Sequence, residues 1–350
     1  MPRILSAATA VPPHVLHRQD AKQFAKAFFA SGHADIDRLL PVFDSADIDR
    51  RYICNPLDWF TSPKSFREKN DDYIHWSVEL GSQAATRALD RAGLKPADVS
   101  YLIFVSTTGL ATPSIDARLI GHMGMGEHTR RTPIWGLGCA GGVAGLSHAH
   151  HHALGHPESI TLLVAVELCS LTFHFGDKSK SNLVASALFG DGAAAAVVGG
   201  NQVEGDGLEI IDTESTLWPG STGVMGWDFE ADGMQVVFSK DIPSIVLRES
   251  KRNITDFLAR QELTLDQIGF FVAHPGGAKV IAAYEEALSL GPGAMQGARD
   301  VLREYGNMSS ASMLFVLDRL LAENQLRPGE RGLATALGPG FSSELVLLER

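Results

Sequence analysis

Cysteine is scarce in this chain: three among 350 residues, Cys54, Cys139 and Cys169, at spacings that suit neither a disulfide framework nor a metal-ligand set. That excludes a disulfide-stapled scaffold and fits a reducing cytoplasm. Basic residues are in deficit, 30 against 41 acidic, for a net charge of −11. Phosphate neutralisation demands a basic face, so nucleic acid is not an expected partner. Long apolar runs are missing, and no membrane span is expected. The mildly apolar start has only about seven residues between Ile4 and Pro12, too few for a secretory signal, and reads as a first strand. No linker, charge block or low-complexity tract divides the chain.

The rest of the composition, 45% hydrophobic and 20% charged, is that of an ordinary globular protein with ample core. Within it, Thr132 to Gly145 (TPIWGLGCAGGVAG) puts Cys139 where a short apolar strand runs through glycines into a helix. A thiol at a helix N-terminus faces unpaired N–H groups and the positive end of the helix dipole, which favour thiolate. Glycines at 136, 138, 141 and 142 clear the space around the sulfur. Other readings stay open at this point. Gly136 to Gly141 fits the G-x-G-x-x-G string of a dinucleotide site, though the compact βαβ unit around it is missing. Leu137 stands where an α/β-hydrolase elbow needs glycine. A buried structural cysteine is the plainest alternative.

A faint internal repeat organises the chain. Leu94 to Ile103 resembles Leu263 to Val272, offset by 169 positions, each a helix exit, a turn and an apolar strand. Cys139 stands against Asn307 at an offset of 168, both at small-residue turns entering a helix. A duplicated α/β unit follows, with corresponding turns meeting at the centre. The strand Ile268 to Ala273 then delivers His274 at its carboxyl end, where ligands of α/β sheets collect. Thiolate, imidazole and carboxamide together suit acyl transfer: the sulfur takes an acyl group from a thioester, and the two N–H donors bind a thioester oxygen as it becomes an enolate. Water attack on an acyl-enzyme, as in a cysteine protease, is the more distant option.

At these residues the chain resembles the type III polyketide synthases, the chalcone and stilbene synthase family, over nearly its whole length, and the bacterial members more than the plant ones. The resemblance rests on Trp135-Gly-Leu-Gly-Cys139-Ala-Gly-Gly, Ala273-His274-Pro-Gly-Gly277 and Gly306-Asn307-Met-Ser-Ser-Ala311. It implies an α/β thiolase fold of two duplicated α-β-α-β-α halves in a five-layered core, here 1–203 with the cysteine and 204–350 with the histidine and asparagine. It also implies a homodimer, acyl-CoA and malonyl-CoA as substrates, and no cofactor or metal beyond those thioesters. Cys139, His274 and Asn307 inherit the catalytic roles. Phe189, in Ala187 to Gly192, inherits a gate between coenzyme A tunnel and reaction cavity. Gly340 and Phe341, in Leu337-Gly-Pro-Gly-Phe341, fall on the cavity wall, and Thr107, Thr108, Glu167, Cys169, Thr172 and Ser309 on cavity-lining positions.

Departures from the plant pattern are informative. Val236 stands where plant members carry a second gate phenylalanine, which predicts a wider tunnel mouth and bulkier or longer starters. The lysines that hold coenzyme A phosphates have no clear equivalents near Arg38 to Ser45, leaving Arg38, Arg50 and Lys279 as candidates. Thr112 takes the place of the family's dimer-crossing methionine. Alternatives with the same fold are a ketoacyl synthase III-like or HMG-CoA-synthase-like condensing enzyme. A silent scaffold is the alternative from another class. The histidines from His148 to His156 read as a solvent-facing helix pattern rather than a zinc site. Gly190 to Gly200 lacks the Lys-Ser/Thr of a P-loop and reads as close packing of small residues.

Overall fold

The computed structural model describes residues 1–33, 35–230 and 233–350. The first half contains β1 (Arg3–Ala10), β2 (His14–His17), α1 (Arg18–Phe29), α2 (Pro41–Ser45), β3 (Arg50–Ile53), α3 (Phe66–Arg91), β4 (Tyr101–Val105), α4 (Ile115–Met123), β5 (Arg130–Ile134), α5 (Gly141–Gly155), β6 (Ile160–Leu168), α6 (Lys180–Leu188) and β7 (Asp191–Gly199). The second contains β8 (Leu208–Leu217), β9 (Met225–Glu230), β10 (Gly233–Phe238), α7 (Ile242–Arg260), β11 (Ile268–Ala273), α8 (Ala278–Leu288), α9 (Gln296–Tyr305), α10 (Ser309–Glu323), β12 (Arg331–Gly338) and β13 (Ser342–Glu349).

The repeat suspected from the sequence is a repeat of pairing. In the first half β4 lies parallel to β6, β6 antiparallel to β7, and β7 antiparallel to β1. In the second, β11, β12, β13 and β8 reproduce that order and those directions. β5 extends only the first set, parallel to β4. Two bonded positions, Arg3 with Glu209 and Ile4 with Leu208, join the sets into one nine-stranded sheet. The turns before β4 and β11 form for the same local reason. Asp98 accepts from the Lys95 N–H at 2.7 Å and Gln267 from the Thr264 N–H at 2.8 Å, each closing a short 3₁₀ turn ahead of its strand.

Five layers follow from which faces are apolar. α3 and α4 cover one face of the first strand set, and α7 and α8 pack on each other and on the second, with Asn253 of α7 bonded to Thr216 of β8 and Tyr284 of α8 to Thr335 of β12. Between the sets lie α5 and α10, each touching strands of both halves. β7 reads Asp-Gly-Ala-Ala-Ala-Ala-Val-Val-Gly and is buried along its whole length, because helices pack on both of its faces. α3 is fixed at its start by a capping box in which Ser65 and Glu68 exchange bonds.

The central helices approach through glycine. A Cβ on Gly141 would stand 3.3 Å from Ser310 Cβ, and one on Gly142 would press into the Ser310 carbonyl oxygen. Gly155, at the far end of α5, has open space around it. Gly142→Ala is therefore expected to lower stability by about 1–3 kcal/mol and Gly155→Ala to leave it unchanged or slightly raised, read as the difference in thermal melting temperature. Equal melting temperatures for the two variants would contradict the packing described.

Candidate active site

Cys139 sits in a 3₁₀ turn, Gly138–Ala140, that runs directly into α5. Gly136 and Gly138 adopt φ of 93° and 48°, which glycine tolerates and the sharp turn needs. A Cβ on Gly138 would lie 2.6 Å from Pro339 Cδ, and one on Gly338 2.6 Å from Ala140 Cβ, so the turn between β12 and β13 is seated on the nucleophile's turn. Gly340 packs instead against Leu217, where a Cβ would lie 2.6 Å from its Cδ1, while Phe341 is fully buried and stacks on Trp218 at 5.7 Å between centroids.

Asn307 is held through its backbone around Phe189. Its N–H donates to Leu188 O at 2.9 Å, and its carbonyl accepts from the Gly190 N–H at 3.0 Å. The carboxamide is held at both ends: Oδ1 accepts from the Ser309 N–H at 2.8 Å, and Nδ2 donates to Gly276 O at 3.1 Å. Gly276 in turn donates its N–H to His274 O at 2.9 Å, while the His274 N–H donates to Thr335 O at 2.8 Å at the end of β11. Ser309 closes the circuit, since its side chain lies beside the Cys139 sulfur and eases its ionisation. Cysteine, asparagine and histidine are thus tied to one another through Ser309 and Gly276. All three are buried, at 7%, 1% and 6% exposure.

Burial dominates the electrostatics. It pushes the Cys139 thiol up to about 12, with the Glu167 charge adding to the rise and Ser309 opposing it. It pushes the His274 imidazole down to about 3. The helix dipole that promised a thiolate contributes roughly 0.3–1 kcal/mol, whereas burial disfavours the lone thiolate by about 4 kcal/mol. Taken singly, the thiolate and the imidazolium are therefore both opposed by burial, which for the sulfur works against the helix start. Among the described residues neither ring nitrogen of His274 has a hydrogen-bond partner, so one is open to take the proton when the sulfur reacts.

Glu167 on β6 is fully buried and accepts four bonds: from the Thr107 N–H and hydroxyl, both at 3.1 Å, from the Thr108 hydroxyl at 3.0 Å, and from the Ser310 hydroxyl at 2.5 Å. Burial raises its pKa against those donors. The remaining sequence-derived positions lie together elsewhere: Cys169, Thr172, Phe189 and Val236 line a cavity of about 70 Å³ between α1 and α6. The ring that meets Phe189 belongs to Phe238, edge to face at 6.4 Å, two residues beyond Val236 on β10.

Both halves of the chain match family models, described as chalcone and stilbene synthases: the N-terminal domain over residues 3–202 and the C-terminal domain over 209–350. The chain belongs to the chalcone and stilbene synthase family. Among its relatives, 1,3,6,8-tetrahydroxynaphthalene synthase of Streptomyces peucetius subsp. caesius is 40% identical over 97% of this chain and 91% of its own length. 3,5-Dihydroxyphenylacetyl-CoA synthase of Streptomyces toyocaensis is 30% identical over 99% and 90%. The crystal structure of 1,3,6,8-tetrahydroxynaphthalene synthase from Streptomyces coelicolor A3(2), a bacterial type III polyketide synthase, superposes with a TM-score of 0.95 at 30% identity, covering 99% of each chain. This chain is a condensing enzyme of that family with the thiolase fold.

Several residues of this chalcone and stilbene synthase site escaped the sequence. Ser310 was visible only as a member of a motif, and its bond to Glu167 needs α10 beside β6. By residue type alone Arg51 and Lys69 would be expected at the surface. Instead Arg51 is buried and donates to the carbonyls of Ala187 and Ser186, and Lys69 is buried with its ammonium on Phe173 O at 3.0 Å. Of the candidate phosphate contacts, Arg38 is exposed beside Asp35 and Arg50 faces Glu304 at 3.9 Å.

The Glu167 charge supplies a test. Glu167→Gln removes a negative charge that holds the Cys139 pKa up, so the pH midpoint for alkylation of Cys139 by iodoacetamide should fall, read by peptide mapping. A midpoint that stays or rises would break the electrostatic coupling argued here.

Proposed function

We propose that this polyketide synthase builds its product on Cys139 by repeated decarboxylative condensation. An acyl-CoA presents its thioester; Cys139 Sγ attacks as His274 takes the thiol proton, and coenzyme A leaves with that proton restored. Thiolate and imidazolium, each disfavoured alone by burial, stabilise one another as a pair. Malonyl-CoA then occupies the emptied site. Its carboxylate departs as carbon dioxide, and the electrons of the broken C–C bond form an enolate whose oxygen the His274 N–H and the Asn307 Nδ2 N–H accommodate. The enolate carbon attacks the cysteine thioester and frees the sulfur as thiolate, leaving the lengthened acyl group on coenzyme A; the thiolate then attacks that thioester, its C–S bond to coenzyme A breaks, and coenzyme A leaves and takes a proton before another cycle. Ring closure to a pyrone, resorcinol or related ring ends the sequence.

What supports the reading is the circuit from Cys139 through Ser309, Asn307 and Gly276 to His274, in a chain whose halves both match this family. The match favours it over a ketoacyl synthase III-like or HMG-CoA-synthase-like activity. Phe189 gates the way in, and the chemistry needs no metal or further cofactor. A homodimer belongs to the proposal: β5 ends the sheet with one edge open, and near it Trp135 and Phe229 meet as a tilted, exposed aromatic pair. Among the described residues no helix is long and apolar enough to cross a membrane.

Replacing the nucleophile separates the steps. Cys139→Ala should abolish condensation, and mass spectra of products from malonyl-CoA with an acyl-CoA starter check this. Cys139→Gln keeps the two donors and should still release carbon dioxide from malonyl-CoA; complete loss of that release would defeat the roles given to His274 and Asn307.

A further inference from the structure

The last carbonyls of a helix find no partner within it, and at the end of α6 all four are met from outside its hydrogen-bond ladder. They belong to Ala185, Ser186, Ala187 and Leu188. Ala185 O accepts from the capping Phe189 N–H at 2.9 Å, and Leu188 O from the Asn307 N–H at 2.9 Å. The two between them are taken by one side chain from β3: Arg51 donates Nη1 to Ala187 O at 2.6 Å and Nη2 to Ser186 O. A planar guanidinium spans two successive carbonyls at once, which the single ammonium of lysine does not. Its charge also stands at the negative end of the helix dipole. Burial lowers its pKa to about 10 and the Asp191 charge opposes that fall, so the side chain stays cationic at neutral pH.

The stem of the same side chain meets the turns on either side of this junction. A Cβ on Gly190 would lie 3.1 Å from Arg51 Cβ, and one on Gly306 3.5 Å from it. Gly190 follows Phe189 and Gly306 precedes Asn307, and Phe189 and Asn307 pair with each other as an isolated bridge. The backbone of Asn307 is thus tied to a helix end that Arg51 holds, while one Nδ2 N–H goes to Gly276 O and the other remains for substrate. We propose that, granted the condensation argued above, Arg51 is a positioning residue: its fork fixes where α6 stops, and that stop aims the Asn307 carboxamide at the oxygen of the forming enolate.

The test reads carbon dioxide release from malonyl-CoA, with every variant built on Cys139→Gln so that condensation does not intervene. Arg51→Lys keeps the charge and loses the fork. It should lower kcat about tenfold or more through a misplaced donor, with the KM for malonyl-CoA within about twofold of the parent. In an Asn307→Ala background the same substitution should lower kcat by less than about twofold, because the group it positions is gone. An unchanged kcat in folded Arg51→Lys protein, or equal losses in both backgrounds, would overturn the proposal. Hydrogen exchange followed by mass spectrometry is the second readout and decides where the Asn307→Ala parent is too slow to measure. Arg51→Lys should speed exchange at the Phe189 and Asn307 amides and leave β12 as it was; no change at those amides counts against the proposal. Should Arg51→Lys not fold, exchange in the wild-type protein decides: slow exchange at both amides supports a held helix end, and fast exchange at both defeats it. Absence of carbon dioxide from the Cys139→Gln parent would instead overturn the roles of His274 and Asn307 on which this inference rests.

Discussion

The contact between α5 and α10 carries the rest of the structure. Both helices open from the turns that bear the reacting groups, α5 from the turn of Cys139 and α10 just after Asn307, and both lie between the two strand sets. Their approach is set by backbone rather than side chains, since Gly141 and Gly142 leave no Cβ between α5 and Ser310. A closer seam brings the two helix starts together and buries them at once. The nucleophile, the carboxamide and the Glu167 network are therefore consequences of one packing event.

Burial then dictates how charge is handled. The same desolvation raises the Cys139 thiol, lowers the His274 imidazole and raises the carboxyls of Glu167 and Asp191, the last to about 6. Such a site tolerates charge only where a partner or several donors meet it. Glu167 has four donors, and Asp191 has the N–H groups of Cys54 and Ser170 and the Ser170 hydroxyl. Cys139 has Ser309 beside it, and among the described residues the ring nitrogens of His274 have no partner. A buried site of this kind suits chemistry in which an enolate must outlive competing protonation by water.

Much of this was legible before any coordinates. The glycines around Cys139, the strand end before His274 and the small residues after Asn307 are local signals, and each forms the local structure its neighbours dictate. The repeat was legible because Lys95 to Asp98 and Thr264 to Gln267 use the same turn chemistry. The electrostatic sign at Cys139 was not. A helix start favours thiolate, but burial depends on strands and helices far away in sequence and outweighs it. Phe238 and Ser310 escaped for a related reason: their partners, Phe189 and Glu167, lie 49 and 143 positions away.

By itself the sequence determined the reacting groups, the duplication and the family, because nucleophile turns, strand ends and glycine spacing act over a few residues. Tertiary structure alone decided the burial of Cys139 and His274, the ring that faces Phe189, and the cavity between α1 and α6. Those three depend on which distant surfaces exclude water from one another, and no local pattern encodes that exclusion.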